Sequence, residues 1–179
     1  MLDDKTIKSI EKREEIAKAI RMNLITIKEI QLLKDVLDDK NMSLILEAME
    51  AVSNKNAEVA DLDWLKFAQG FITSKSNNLK REASRVVGNI AHMFPNDLES
   101  AIKSLMENTT NDRTVIRWGS AYALARIIQI PQYANGELYD TLTDLCEREN
   151  ENGVKNQFLK GIKKAKKLKK KHYLHSPSL

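Results

Sequence analysis

The sequence predicts an all-α protein built as a stack of helical hairpins, and three observations carry that expectation. A helical segment recurs four times, beginning at Leu44, Leu79, Ile116 and Val154, at spacings of 35 to 38 residues. Self-similarity at a period of tens of residues marks units that bury their apolar faces on one another. Apolar residues fall at helical spacing through nearly all of residues 5 to 168. Finally, six Gly and three Pro in 179 residues leave little of the turn chemistry that a many-stranded sheet needs.

Taken in order, residues 5 to 25 read as a first helix, with Ile7, Ile10, Ala17, Ile20 and Leu24 on its buried face. Lys12, Arg13, Glu14, Glu15 and Lys18 cover the solvated one. Thr26 and Glu29 have the spacing of a capping box, which starts a second helix carrying Ile30, Leu33 and Leu37. Asp38 to Asn41 reads as the turn into the first recurrent helix, about 43 to 54. Asp61 or Leu62 opens the next helix, with Leu62, Leu65, Ala68 and Ile72 inside. The turn at 74–78 leads to its partner, with Ala83, Val86, Val87 and Ile90 inside, and Pro95 is expected to stop it. Asn96 and Glu99 repeat the capping-box spacing before Ala101, Ile102 and Leu105. A helix from Ile116 to Ile130 is expected to end at Pro131, and Asn135-Gly136 is a turn signal. Leu138, Leu142 and Leu145 mark another helix before the last recurrent one.

The four copies share a packing pattern. Four residues after each opening come Ala48, Ala83, Ser120 and Phe158; seven and eight after come Ala51-Val52, Val86-Val87, Ala123-Leu124 and Gly161-Ile162. The stretch Ile116-Arg117-Trp118-Gly119-Ser120-Ala121-Tyr122-Ala123-Leu124 resembles the second-helix pattern of HEAT repeats, and residues 79–88 match it less fully. That resemblance covers about residues 27 to 167. It implies a right-handed α-solenoid of about four HEAT-like hairpins after an N-terminal helix, and a binding platform in place of a reaction. The expected units are a capping helix in 1–25, repeats at about 26–60, 61–95, 96–134 and 135–171, and a flexible tail at 172–179. The turns leave little room for the third short helix of an armadillo-type repeat.

Charge is divided sharply along the chain. Residues 153–179 hold nine lysines and no acid, which leaves 20 basic and 25 acidic residues in 1–152, a net of −5. The body therefore does not read as a nucleic-acid coat. No apolar run approaches the roughly 20 residues of a membrane span, so no integral membrane association is expected. The polar start has no secretory-signal layout and Cys146 is alone, both of which fit a cytoplasmic protein.

Aligning the copies defines a stripe at matching positions: Leu46, Glu50 and Ser53, then Arg81, Arg85 and His92, then Trp118, Tyr122 and Gln129, then Asn156, Lys160, Lys163 and Lys167. The HEAT resemblance implies that these second helices line the concave side, and Arg126 belongs to the same surface. Arg81, Arg85, His92, Trp118, Tyr122, Arg126, Lys160, Lys163 and Lys167 are thus the candidate binding residues. Trp, Tyr and Arg combine large contact area with directional polar groups, which suits a protein or peptide partner. The competing reading has Trp118 and Tyr122 filling gaps between repeats, with their polar tips reaching solvent. Arg117 reads as a structural link to Asn111 or Asp112, as family members often show. The lysines could bind phosphates or an anionic membrane, but without arginine or interleaved aromatics they read first as a solubilising cap.

The expected function is a non-catalytic scaffold binding a protein partner. The alternative is a nucleic-acid-binding protein using the arginines, aromatics and Lys-rich end. Third comes an enzyme resembling the alkylpurine DNA glycosylases in architecture, although Glu50 is the one carboxylate that falls on the stripe. His92, His172 and His175 have no ligand-spaced partners and no Gly-rich phosphate loop is present, so no catalytic residue, metal or cofactor is expected.

Overall fold

The computed structural model describes Leu2 and the backbone of residues 4–174, with side chains to Leu168. The described residues form ten α-helices and no strand: α1 (Ser9–Arg21), α2 (Ile27–Leu32), α3 (Asp39–Lys55), α4 (Leu62–Gln69), α5 (Asn77–Ile90), α6 (Glu99–Asn108), α7 (Thr114–Ile127), α8 (Pro131–Ala134), α9 (Glu137–Arg148) and α10 (Asn152–Leu174). Two 3-10 turns, Ala57–Val59 and Ala91–Met93, follow α3 and α5. None of the helices is long and apolar enough to cross a membrane.

Several helix starts follow from single side chains that satisfy otherwise orphaned amides. The Thr26–Glu29 box forms as expected: the Thr26 amide donates to Glu29 Oε2 at 2.7 Å and the Glu29 amide to Thr26 Oγ1 at 3.3 Å. Asp61 accepts from the Trp64 amide at 3.0 Å. Asp38, expected in a turn, instead caps α3 by accepting from the Asn41 amide at 2.8 Å, so that helix starts four residues early. The Asn96–Glu99 box does not form; α6 starts at Glu99 itself with no side-chain cap. Helix α7 spans Thr114–Ile127, so it ends before Pro131 where the sequence placed its end at Ile130; Pro131 instead opens the short α8, where its missing N–H costs nothing.

Helices α1, α3, α5, α7 and α10 lie side by side in that order, each touching the next. Helices α4, α6 and α9 pack on α5, α7 and α10 respectively, so successive hairpins share one continuous core. The register of the sequence repeat is visible in burial. The opening residues Leu44, Leu79, Ile116 and Val154 are 5, 2, 1 and 0% exposed. Ala48, Ala83, Ser120 and Phe158 are equally hidden.

Two glycines set the closest approaches in this row. A Cβ on Gly88 of α5 would lie 2.8 Å from the Ala123 Cα of α7, and one on Gly161 of α10 would lie 2.6 Å from the Ala125 Cα. Only hydrogen fits at either point, so the helix axes draw together there. Polar links then tie neighbouring hairpins: Asn108 donates to the Ile72 carbonyl at 2.8 Å and the Tyr133 hydroxyl to the Pro95 carbonyl at 2.8 Å.

The ends depart most from expectation. Helix α1 is shorter than 5–25, and its buried residues are Ile16, Ala17, Ile20 and also Lys12. Lys12 was expected on the solvated face but is covered, its ammonium donating to the Leu2 carbonyl at 2.6 Å, while Ile10 and Leu24 are 54% and 70% exposed. The end helix touches a neighbour on one side, so less of its apolar stripe is covered. At the other end α10 continues to Leu174, three residues into the stretch expected as tail. His175 and Pro177 lie outside the described residues.

Candidate functional site

Clefts open along the row α3, α5, α7 and α10, on the side where the aligned stripe was expected. One of about 420 Å³ is lined by the C-terminal ends of α3, α5 and α7, including Asn54, Asn89, His92, Arg126 and Gln129. A second, of about 360 Å³, lies between α7 and α10 and is lined by Tyr122, Arg126, Gln129, Gln157, Lys160 and Lys164. Arg126 and Gln129 line both, so the two clefts adjoin across these side chains and together make a depression along the row. Each volume falls in the range of ligand pockets, about 300–1,000 Å³.

The arginines of α5 are already occupied. Arg85 lies 2.8 Å from Glu50 Oε1 of α3 and 2.9 Å from Glu82 Oε2 of its own helix, and Arg81 Nε donates to Glu82 Oε1. The Glu50 contact is an ion pair by distance, without an aligned hydrogen bond. Glu82 is 1% and Glu50 6% exposed, and carboxylates so deeply placed need these partners. Burial, and then the charge of Glu82, push the nearby Glu47 carboxyl above its usual range.

The aromatic pair is part of the wall. Tyr122 is 8% exposed and donates its hydroxyl to Asn89 Oδ1 at 2.7 Å. Burial pushes that hydroxyl above its ordinary value, which keeps it protonated as a donor. Asn89 in turn donates to Ser53 Oγ at 3.1 Å and to the Glu50 carbonyl at 3.3 Å. The Tyr122 tip therefore reaches back toward α3, where the competing reading had it meeting solvent. Half-buried Trp118 stacks on Tyr122 at 5.4 Å between centroids, and the Arg126 guanidinium sits 3.6 Å from the Tyr122 ring centroid.

His92 is exposed on the 3-10 turn and lines the first cleft; Lys160 lines the second. Lys163 and Lys167 are exposed but line neither, and Lys164 takes that place. Residues Asn54, Asn89, Arg126 and Lys164 share one register, ten residues after each copy's opening. That row falls between the aligned positions six and thirteen residues after each opening, and Arg126 is its one member among the sequence candidates. Arg117 donates to the Asn111 and Asp112 carbonyls at 2.9 and 3.3 Å, as its structural reading required, and also forks onto Glu149 of the next hairpin at 3.0 and 3.2 Å. That hydrogen bonding raises Arg117 and lowers Glu149 from their ordinary values. Cys146 is buried, and burial pushes its thiol upward, away from a reactive thiolate.

In comparisons with known proteins, no family model, no curated protein and no solved structure matches the chain.

Proposed function

We propose that this chain is a right-handed HEAT-like α-solenoid acting as a non-catalytic scaffold in the cytoplasm, with a protein segment held on the concave side of its stacked second helices. The observation that carries this reading is the shared depression along α3, α5, α7 and α10, whose walls come from all four recurrent copies. A groove that crosses repeats suits an extended partner, because each repeat adds a similar set of contacts. Its amide side chains, Gln129, Gln157 and Asn54, can serve peptide groups as donors and acceptors.

A second reading, nucleic-acid binding, is favoured by the basic end of the same depression, where Arg126, Lys160 and Lys164 converge. Affinity selection from a displayed peptide library, followed by competition with oligonucleotides at two salt concentrations, separates the two. Selected peptides that bind through Gln129 and Gln157 and resist oligonucleotide competition support the scaffold. Binding that follows the oligonucleotide and falls steeply with salt would overturn it.

A further inference from the structure

The depression is not electrically uniform. Along the register that starts ten residues into each copy, side chains run Asn54, Asn89, Arg126, Lys164, from neutral amides to cations. Lys160 stands one turn from Lys164 on the same wall. No carboxylate lines either cleft, and no acid within ion-pair distance of Arg126, Lys160 or Lys164 occurs among the described residues. This contrasts with Arg81 and Arg85, a few ångströms along the same face, which are neutralised by Glu82 and Glu50.

Arg126 is also held ready. Its guanidinium lies over the Tyr122 ring, Tyr122 is backed by Trp118 and its hydroxyl is tied to Asn89. A guanidinium stacked on a fixed ring keeps its planar fork of donors in one orientation, so little entropy is lost when it meets a carboxylate. Gly161 lets α10 approach α7 closely, which brings Lys160 and Lys164 to the opposite bank.

Resting on the scaffold reading, we infer that this basic half of the depression is the specificity site, and that it takes an acidic peptide segment anchored by a carboxylate on Arg126. The occupied faces of Tyr122 favour a peptide over single-stranded nucleic acid, since Trp118 and Arg126 leave no ring there on which a base can stack. Neighbouring helices sit about 8–10 Å apart, and an extended peptide advances about 3.3 Å per residue. Carboxylates that meet Arg126 and Lys164 therefore fall about three residues apart on the partner.

Fluorescence anisotropy with labelled deca-glutamate, deca-lysine and a ten-nucleotide oligothymidylate tests this on the full chain. The expected result is binding of deca-glutamate that weakens at least about tenfold in Arg126→Gln and in the double variant Lys160→Gln/Lys164→Gln. Lys166→Gln, which removes the same single charge as Arg126→Gln but outside the cleft, changes it less than about twofold, and Lys166→Gln/Lys167→Gln, the two-charge control, does the same. Should Arg126→Gln fail to fold by circular dichroism, the double variant of two exposed lysines carries the test. Equal weakening in the cleft variants and their controls means diffuse attraction to lysines and overturns the site. Preference for deca-lysine overturns the acidic partner while leaving a protein scaffold intact. Tighter oligothymidylate binding with the same Arg126 dependence overturns both readings, and no binding of any probe overturns the inference.

Discussion

The α3–α5 wall and the α7–α10 wall both carry basic residues, Arg85 and Lys160 at matching register, yet use them in opposite ways. On the first wall, Arg81 and Arg85 close onto two buried carboxylates. On the second, Arg126 rests on a ring and Lys160 and Lys164 face the cleft without an acid. The lesson is that a stripe position does not determine availability; the neighbouring helix does. Arg85 is consumed because α3 supplies Glu50 at the equivalent position one repeat earlier. Lys160 is left free because α7 supplies Tyr122 there.

The strongest way to break this comparison is to damage α7, which builds the second wall and packs on α5 of the first. Leu124 of α7 is fully buried at the crossing. Leu124→Ala should cost about 2–5 kcal/mol through lost burial and a residual cavity, measured by chemical denaturation. Ala123→Leu should also destabilise, by about 1–3 kcal/mol, because Gly88 leaves no volume to give. If both variants unfold like the parent, α7 does not pack tightly on the first wall and the contrast between the two sides loses its basis.

A sharper test lies at Glu82, which joins both arginines of the first wall. Glu82→Gln should cost about 1–3 kcal/mol, since charge-assisted hydrogen bonds are lost from a buried position while both arginines retain some access to water. A double-mutant cycle of Glu82→Gln with Arg85→Gln should show coupling of at least about 0.5 kcal/mol. Additive losses would mean the arginines are as free as those of the second wall.

Arg117 and Glu149 extend the comparison to pH. Hydrogen bonding to Arg117 holds the Glu149 carboxyl below its ordinary 4.5 in the folded chain. The folded state thus binds that proton less readily than the unfolded one. The pair's stabilisation is complete at neutral pH and fades as the pH falls below the ordinary value and through the lowered one. Glu149→Gln should cost about 1–2 kcal/mol at pH 7, and that cost should shrink progressively as the pH falls below the ordinary value and through the lowered one. A constant gap between parent and variant across that range would show that the ion pair is not its source.

Much of this architecture was legible because burial follows period. The openings Leu44, Leu79, Ile116 and Val154 and the residues four positions on were found from spacing, and all are buried. The Thr26–Glu29 box was equally local. What spacing could not show was competition between neighbours. Asn96–Glu99 has the same letters as a capping box, yet α6 begins without it. Arg81 and Arg85 look like surface residues on a helical wheel, yet Glu82, three residues before Arg85, is buried and takes both, and spacing alone does not report that burial. The Glu50–Arg85 pair was present in the alignment itself, since one sits where the other does a repeat away. Arg126 was a candidate from the sequence, and its contact with Tyr122 is an i, i+4 pair on α7; what no single-helix pattern reports is that Asn89 of α5 ties that ring and Gly161 of α10 lets the opposite bank approach.

The smallest expected effect is the most discriminating. If the second wall is kept for a ligand, its cations contribute little to folding. Arg126→Gln loses a partly exposed cation–π contact and should cost about 0.5–1 kcal/mol. Lys160→Gln and Lys164→Gln, both exposed and without an acid partner, should change stability by less than about 0.5 kcal/mol. Glutamine keeps the stem and a polar tip, so charge is the main property removed. Set beside Glu82→Gln, measured under the same conditions, these values test whether one wall is assembled for stability and the other is left open. Losses of about 2 kcal/mol at Arg126 or either lysine would mean that an intramolecular partner consumes them too, and the asymmetry between the walls would disappear.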